Sequence, residues 1–420
     1  RARGPAAART GAPSLPLALR RCARLLLPAL LCAAGSAYGA APADFPACVA
    51  GLKARALAEG VSSATADAVL DRVTWQDRVI ELDRRQPEFT RTFQDYYDAR
   101  VTATRVERGR ALLAEHRPLL ERIRRESGVP GHYLVAFWGL ETNFGSYLGK
   151  MPIPDALTTL ACDPRRSRFF GGELMAALRI VDGGDVAAEA MEGSWAGAMG
   201  HVQFMPTVYL RHAVDGDGDG RRDLFGSIPD ALTSAGRFLA GLGWEPGLRW
   251  GREVRLPEGF DYALAGRGER RPLSAWRALG VTDAFGALLP ELDLPASILV
   301  PAGHEGPAFA VYENFDVIMG WNRSEFYAIA VGRLADRIAG AGRLAVTPPA
   351  DAPRLARADV LALQQALDDA GFDAGEPDGI LGPATRAALA RFEGARGLVP
   401  DGHPDREALD ALGVQPTPAP

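Results

Sequence analysis

The sequence predicts a mainly α-helical protein with a small β-containing insert and a separate C-terminal unit. From Asp44 to about Leu242, apolar residues recur at three- and four-residue steps, which is the helical period. Residues 243–312 are instead rich in Gly and Pro and contain short β-like runs. A Pro-containing linker at 341–354 precedes a last unit of about sixty residues. Because 420 residues exceed what one core usually supports, several domains are expected.

The first 40 residues differ in composition from the rest of the chain. They contain six arginines and no acidic residue, followed by the short apolar stretch Leu25 to Ala34 and small residues. This pattern predicts a secretory signal peptide at 1–40 and export to the periplasm. Lipid attachment at Cys32 is not favoured, because Leu30 and Leu31 precede it instead of small residues. No other segment approaches the roughly 20 apolar residues of a membrane-spanning helix, so none is expected.

The mature chain is expected to be acidic. Six of the 47 basic residues lie in the signal, so its removal leaves 41 basic and 52 acidic side chains and a formal charge of about −11. This charge argues against nucleic-acid binding. Of the cysteines, Cys48 and Cys162 remain, and they are expected to form either one disulfide or two buried free thiols. The sequence has no zinc-like Cys/His cluster.

Several helices are predicted in order. Amphipathic helices cover Asp44 to Leu120, with breaks at 61–63 and at Gln86-Pro87. Leu112 to Ile123 is expected to be one amphipathic stretch. After the β-containing insert, the helical pattern returns at Glu325 to Ile338.

A single acid follows an apolar run in the segment Phe-Trp-Gly-Leu-Glu-Thr-Asn-Phe-Gly, in which the acid is Glu141. The run Tyr133 to Leu140 is apolar on every side, which is typical of a buried helix. A carboxyl group in such surroundings keeps its proton near neutral pH and can act as a general acid. Gly145 is expected to stop the helix and to leave Glu141 facing a cleft. The alternative is a helix-end glutamate in solvent or in a structural ion pair.

A second dense segment begins at Gly193 with Gly-Ser-Trp-Ala-Gly-Ala-Met-Gly and continues with Gln-Phe-Met-Pro. Small residues packed this closely permit a backbone to approach a ligand or another helix. Gln203 offers both a donor and an acceptor, which suits a sugar amide or hydroxyl. Tight helix packing remains the alternative. The Gly193 segment and the Glu141 segment together are interpreted as the two walls of one cleft.

An Asp/Gly-rich loop predicts a structural calcium site. Gly220 occupies the sixth position, as in an EF-hand loop, but Gly226 replaces the glutamate of position 12, and the next acid is Asp230. The alternative is a polar surface turn. The candidate oxygen ligands are the side chains of Asp215, Asp217, Asp219 and Asp223 and the backbone carbonyl of Arg221.

The C-terminal unit, residues 355–414, has a regular pattern of apolar residues and Gly-containing turns. Its marked residues are Leu363-Gln364, Leu367, Gly371, Asp378-Gly379, Gly382, Thr385, Ala388, Phe392, Leu398 and Asp401-Gly402. This pattern resembles the three-helix peptidoglycan-binding domain found on many cell-wall enzymes. Glu393 departs from it, because a glutamine often follows the residue equivalent to Phe392. The Pro-rich end at 415–420 is predicted to be disordered.

The Glu141 segment, the Gly193 segment, and Asn314-Phe315 with Asn322 and Tyr327 resemble the membrane-bound lytic murein transglycosylase B family. The resemblance covers about Phe45 to Ile338. It implies a lysozyme-like catalytic core within residues 41–340, with an added helical domain and the small β-containing insert. It also implies cleavage of the β-1,4 bond between N-acetylmuramic acid and N-acetylglucosamine in peptidoglycan, with a 1,6-anhydro ring as the product end.

The resemblance implies roles for individual residues. Glu141 would act alone, first as general acid and then as general base, with no catalytic cofactor. Ser194 and Gln203 would contact the sugar, and Trp321, Asn322 and Tyr327 would line the cleft. Trp321 stands where relatives often carry Tyr, and an aromatic ring there would stack on a sugar; the alternative is a core tryptophan at the start of a helix. The family also implies a longer calcium loop closed by Asp230.

Two other functions remain open from the sequence. One is a hydrolytic muramidase on the same fold, and the other is a non-catalytic peptidoglycan-binding protein in which Glu141 is inert. In each case the expected partner is the glycan strand of peptidoglycan. The machinery of cell-wall synthesis or division is a further candidate partner, and the expected state is a monomer.

Overall fold

The structure is a computed structural model that describes residues 42–84 and 91–417. The predicted signal peptide with Cys32, the predicted break at Gln86-Pro87 and residues 418–420 lie outside the described residues. In the described ranges, no helix is both long and apolar enough to cross a lipid bilayer.

The first part of the described chain is helical, and several helix starts are capped by a side chain. Ser62, Thr92 and Thr102 each accept a hydrogen bond from the backbone N–H three residues later, which satisfies a donor that the helix leaves unpaired. The helices are α1 Phe45–Ala58, α2 Ser63–Leu70, α3 Asp77–Arg84, α4 Phe93–Arg100, α5 Ala103–Glu115, α6 Arg117–Ser127 and α7 Gly131–Thr142.

The stretch Leu112 to Ile123, predicted as one amphipathic element, is divided between two helices. Helix α5 ends at Glu115 and α6 begins at Arg117, with His116 between them. Pro118 lies in the first turn of α6, where its missing N–H costs no helical hydrogen bond. The prediction of a continuous stretch was therefore wrong at this point. Pro118 fits the first turn of a new helix, but it would break a helix that continued through it.

The chain then alternates short strands, helices and loops. Strands β1 and β2 pair antiparallel, Met151 opposite Gly193, and so bring the chain after α7 beside the second dense segment. The elements are β1 Met151–Pro152, α8 Ile153–Cys162, α9 Ser167–Asp182, β2 Glu192–Gly193, α10 Pro206–His212 and α11 Ile228–Gly241.

The predicted β-containing insert is confirmed as a five-stranded antiparallel sheet. Its elements are β3 Gly251–Arg255, β4 Arg271–Pro272, α12 Leu273–Ala278, β5 Thr282–Asp283, β6 Pro295–Leu299 and β7 Ala308–Val311. The strands lie in the order β4-β6-β7-β3-β5. The insert has its own small core, in which Trp276 and Ile298 are fully buried.

The main core surrounds α7, as the all-apolar run predicted. Every residue from Tyr133 to Leu140 is buried, and α7 packs against α5, α6, α11 and α14. Helices α13 Glu313–Trp321 and α14 Glu325–Ile338 follow the insert, and α14 has the predicted bounds. Asn314 is fully buried and binds the backbone of Glu245 and Leu248, so it fixes the chain after α11.

The C-terminal unit contains the three predicted helices α15 Arg357–Asp369, α16 Pro383–Arg396 and α17 Arg406–Leu412. Leu363, Leu389 and Phe392 are fully buried in its core. Part of the predicted disordered tail is ordered instead, because Thr417 donates a hydrogen bond of 2.7 Å to Asp359.

Several long-range contacts tie these parts together. Cys48 of α1 and Cys162 of α8 are joined by a disulfide, with their Cα atoms 6.0 Å apart. The linker is fixed to the insert, since the buried carboxylate of Glu253 accepts hydrogen bonds from the N–H groups of residues 345 and 346. The carboxylate of Asp401 in the C-terminal unit binds both the backbone N–H and the ring Nδ1 of His304 in the insert.

Candidate functional site

Helix α7 ends one residue after Glu141, and the way it ends shapes the site. Asn143, Phe144 and Gly145 are three successive residues with positive φ, of 49°, 60° and 75°. The helix stop is Asn143, not Gly145 as predicted, because asparagine also tolerates the left-handed conformation of a C-cap. Thr142 secures the turn, since its Oγ1 accepts from the N–H of Gly145 at 3.0 Å.

Two side chains from distant helices converge on one oxygen of Glu141. Trp321, the last residue of α13, donates its indole N–H to Oε1 at 3.0 Å. The hydroxyl of Tyr327, in the first turn of α14, donates to the same oxygen. Within the described residues, Oε2 has no hydrogen-bond partner. Glu141 is only partly exposed, so the structure disfavours the alternative of a glutamate in open solvent.

The surroundings of Glu141 favour its protonated form. Burial raises the pKa of this carboxyl to about 7, although the hydrogen bonds from Tyr327 and Trp321 and the positive charge of Arg100 act in the opposite direction. Burial and the nearby Glu141 likewise raise the pKa of Tyr327 well above its ordinary value, so its hydroxyl stays a donor. A proton is therefore available on Glu141 near neutral pH.

Aromatic rings hold Trp321 in place. Its ring centroid lies 4.4 Å from that of Phe137 on α7, 5.2 Å from Phe238 on α11 and 5.4 Å from Phe204. Trp321 is partly exposed and ends its helix, so it is not the core tryptophan at a helix start that the sequence also allowed. The indole can thus present a surface to a ligand while its N–H stays on Glu141.

The second dense segment packs against the end of α7 through His201, which the sequence analysis did not single out. Its Nδ1 accepts from the indole N–H of Trp138 at 3.0 Å, and its carbonyl accepts from Thr142 at 2.9 Å. Burial lowers the pKa of His201, which agrees with a neutral ring that accepts a hydrogen bond. A Cβ at Gly145 would collide with this ring, so only glycine fits there.

Ser194 and Gln203 are both partly exposed, and each keeps a polar atom that no other described residue binds. The Ser194 oxygen accepts from the N–H groups of Ala196 and Ala198, at 3.3 and 3.0 Å, so its own hydrogen remains available to donate. Gln203 donates its amide hydrogens to the carbonyls of Leu148 and Gly200, both at 3.0 Å, which leaves its carbonyl oxygen free to accept.

The remaining predicted cleft residue, Asn322, is exposed and caps the loop before α14, where its Oδ1 accepts from the N–H of Ser324 at 3.2 Å. The structure records no contact between it and Glu141. Arg100 is a cation that the sequence analysis missed. It lies 5.3 Å from the ring centroid of Tyr96, and its charge acts on both Glu141 and Tyr327.

Three carboxylates of the predicted metal loop come together. Asp215, Asp217 and Asp219 are exposed and each has an oxygen within 4.8 Å of the others. Hydrogen bonds from the backbone of residues 218–220 lower the pKa of Asp215, so this carboxylate is ionised near neutral pH. Exposed, charged oxygens at this spacing fit a hard divalent cation such as calcium.

Asp223 and Asp230 are instead directed at the backbone. Asp230 is fully buried, and its two oxygens accept from the N–H groups of Gly216 and Asp223, both at 2.7 Å. Asp223 accepts from the N–H groups of residues 225 and 226. These two acids shape the loop, and they do not belong to the group of three carboxylates.

In the C-terminal unit, Gln364 is buried and its amide donates to Asp378 and Thr385, each at 3.0 Å, so it organises a turn. Glu393 is buried too, and only its Oε2 has a partner, the N–H of Gly402 at 2.8 Å. Burial, together with the nearby Asp401, raises the pKa of Glu393 to about 8.

Solved structures share the fold of this chain. SltB3 from Pseudomonas aeruginosa, in a crystal structure with NAG-anhNAM-pentapeptide, superposes with a TM-score of 0.85 and 42% identity, covering 89% of this chain and 100% of that one. The Escherichia coli lytic transglycosylase Slt35 in complex with calcium has a TM-score of 0.61 and 28% identity, over 70% of this chain and 92% of that one.

Membrane-bound lytic murein transglycosylase B of Escherichia coli is 32% identical over 252 residues, 57% of this chain. The match covers 65% of that relative's own length. Residues 356–412 match the peptidoglycan binding domain family. Residues 44–336 match the family described as the transglycosylase SLT domain, which is more than half of the chain. The protein therefore belongs to the transglycosylase SLT domain family.

Proposed function

We propose that this protein is a lytic murein transglycosylase. It cleaves the β-1,4 bond between N-acetylmuramic acid and N-acetylglucosamine and leaves 1,6-anhydro-N-acetylmuramic acid ends. The observation that carries the proposal is the environment of Glu141, a carboxyl group whose burial raises its pKa to about 7 and whose Oε2 has no hydrogen-bond partner among the described residues. Membership of the SLT domain family and the similarity to SltB3, crystallised with NAG-anhNAM-pentapeptide, support the same chemistry.

Glu141 serves as general acid and then as general base. Its Oε2 proton passes to the glycosidic oxygen while the bond from that oxygen to C1 of the muramic acid breaks. The resulting carboxylate, stabilised by Trp321 and Tyr327 at Oε1, takes the proton of the muramic acid's 6-hydroxyl. That hydroxyl oxygen then bonds to C1 and closes the anhydro ring.

A second carboxylate is not required for this route, because the substrate's own hydroxyl replaces water as the attacking group. Glycosidases that hydrolyse the bond commonly use two acids. In the described part of the chain, no other carboxylate joins the hydrogen bonds of Glu141 or shifts its pKa. This isolation favours the transglycosylase over the muramidase.

The sugar-binding roles follow from the free polar atoms and rings. Ser194 donates its hydroxyl hydrogen and Gln203 accepts with its amide oxygen, while Trp321 offers its ring to a sugar. Asn322 and Tyr327 complete the cleft near Glu141. These roles are supported by the contacts of Trp321 and Tyr327 with Glu141 and by the hydrogen bond from Gln203 to Leu148, in the loop that follows α7.

The other parts of the chain are assigned by the same proposal. The C-terminal unit binds peptidoglycan, residues 1–40 direct export, and the enzyme works in the periplasm on glycan strands. Asp215, Asp217 and Asp219, with the carbonyl of Arg221, hold a calcium ion that stabilises the loop and takes no part in the reaction. The calcium complex of Slt35 supports this last assignment.

The test is digestion of purified peptidoglycan sacculi by the mature protein and by Glu141→Gln, with product ends identified by mass spectrometry. We expect anhydro ends from the wild type and none from the variant. Hydrated reducing ends would identify a muramidase instead. Retained sacculus binding without any release would leave a binding protein. Thermal melting of Glu141→Gln serves as the control for its folding.

A further inference from the structure

A solvent-exposed tyrosine stands in the loop that follows the Glu141 helix. Tyr147 is 63% exposed, although its ring is large and mostly apolar. Among the described residues, its side chain has no hydrogen bond, ion pair or ring contact. Single exposed apolar residues are common on proteins, so exposure alone says nothing about function. Its position and its rigid support are what distinguish Tyr147.

The loop that carries Tyr147 is held firmly. The amide of Asn143 donates to Ser146 Oγ at 2.9 Å, and that hydroxyl donates back to the Asn143 carbonyl at 2.9 Å. The backbone N–H of Tyr147 donates to the carbonyl of Thr142 at 3.1 Å. The backbone is thus fixed immediately before and at the tyrosine, so little conformational freedom is lost when a ligand contacts the ring.

The same loop touches the backbone on which both candidate sugar contacts lie. Gln203 donates to the carbonyl of Leu148, the residue that follows Tyr147. A Cβ at Gly149, two residues after Tyr147, would collide with the carbonyl of Gly193, which precedes Ser194. Tyr147 therefore lies between the end of the Glu141 helix and the segment that presents Ser194 and Gln203.

We propose that Tyr147 is a carbohydrate-binding residue that stacks its ring on the apolar face of a pyranose in the glycan strand. The proposal rests on the proposed function, because it takes the glycan as the ligand of this cleft. Sugar rings present C–H groups on one face, and a tyrosine covers such a face while its hydroxyl stays in water. A rigid tyrosine supplies this contact area at low entropic cost.

The experiment compares Tyr147→Ala and Tyr147→Phe with Phe169→Ala. Phe169, on α9, is 53% exposed and provides a matched loss of an exposed aromatic ring. The KM and kcat for release of anhydro-muropeptides from soluble glycan strands are measured for each. We expect Tyr147→Ala to raise KM about five- to tenfold, with kcat changed by less than about twofold. Tyr147→Phe and Phe169→Ala should match the wild type.

The binding step is measured separately in the Glu141→Gln protein, by calorimetry with the same soluble strands. Adding Tyr147→Ala should weaken the Kd by the same five- to tenfold factor. An unchanged Kd and KM in Tyr147→Ala would overturn the inference, as would an equal loss in Phe169→Ala. If the wild type released no anhydro ends but Tyr147→Ala still weakened the Kd, the proposed function would fail while the tyrosine's role would stand.

Discussion

At the scale of single residues, Glu141 shows a conflict between stability and chemistry. Its burial disfavours the charged form and raises its pKa from 4.5 to about 7. In the proposed mechanism this proton serves acid catalysis, but the carboxylate formed during the reaction is disfavoured by the same burial. Trp321 and Tyr327 offset part of this cost, because charge-assisted hydrogen bonds are stronger than neutral ones.

The first prediction concerns stability against pH. The folded pKa of Glu141 lies above the unfolded value, so folding favours the protonated form, and stability falls as pH rises from about 4.5 through about 7. Glu141→Gln removes this loss and should be more stable than the wild type by up to about 3 kcal/mol at pH 8, with no difference near pH 4. Urea unfolding of both proteins at pH 4 and pH 8 measures the difference in stability. An equal difference at the two pH values would contradict the prediction.

The second prediction concerns the pH dependence of activity. The proposed mechanism requires the acid form of Glu141, so kcat/KM should decline as pH rises through about 7. Trp321→Phe removes a hydrogen bond that lowers the pKa of Glu141, and Arg100→Met removes a positive charge that lowers it. The fall of kcat/KM at alkaline pH should therefore occur at higher pH in both variants, although the two causes differ. A shift of this fall to lower pH in either variant would count against Glu141 as the acid.

At the scale of elements, the metal loop is shaped by acids with different tasks. Asp230 and Asp223 satisfy backbone N–H groups, while Asp215, Asp217 and Asp219 lie close together. The cations near this loop include Arg221, whose Nε lies 3.7 Å from Asp219, and Arg122, which donates to the carbonyl of Gly216 at 2.6 Å. Carboxylates this close repel each other, and a bound cation would offset this repulsion.

The third prediction follows for this loop. Calcium at about 100 times its Kd should stabilise the wild type by roughly 2.7 kcal/mol and raise its Tm. Asp219→Asn should lose most of that gain, since one ligand charge is gone. Without calcium its Tm should equal or exceed that of the wild type, because repulsion is relieved. If Asp219→Asn gained as much Tm from calcium as the wild type, the site would be excluded. Asp283→Asn, in the insert, is the control and should respond to calcium as the wild type does.

Local pattern was enough to predict α14 and the all-apolar helix α7, because each signal lies within a dozen or so consecutive residues. The insert was predicted from the Gly- and Pro-rich composition of residues 243–312 and its short β-like runs. The prediction that Glu141 is the acid rests on the same local pattern as α7. His201 and Arg100 were not, since they reach the site only through tertiary packing from other parts of the chain. The division at His116 was missed because Pro118 is compatible with a helix start as well as with a turn.

At the scale of the whole molecule, the disulfide joins helices that are 114 residues apart in sequence. The fourth prediction is that Cys48→Ser with Cys162→Ser lowers the free energy of unfolding by about 2–5 kcal/mol, because the unfolded chain regains freedom. Denaturant unfolding measures the loss. Reduction of the wild type with dithiothreitol should reproduce it, and a double variant as stable as the oxidised wild type would contradict it.

The two donors on Oε1 make the Glu141 carboxyl group asymmetric. Trp321 and Tyr327 both donate to Oε1, so in the proposed mechanism the acidic proton is carried by Oε2. A glycosidic oxygen on the Oε1 side could not receive that proton. The proposed mechanism therefore requires the glycan strand to present its scissile bond to one side of the carboxyl group only, whatever substituents the sugar carries.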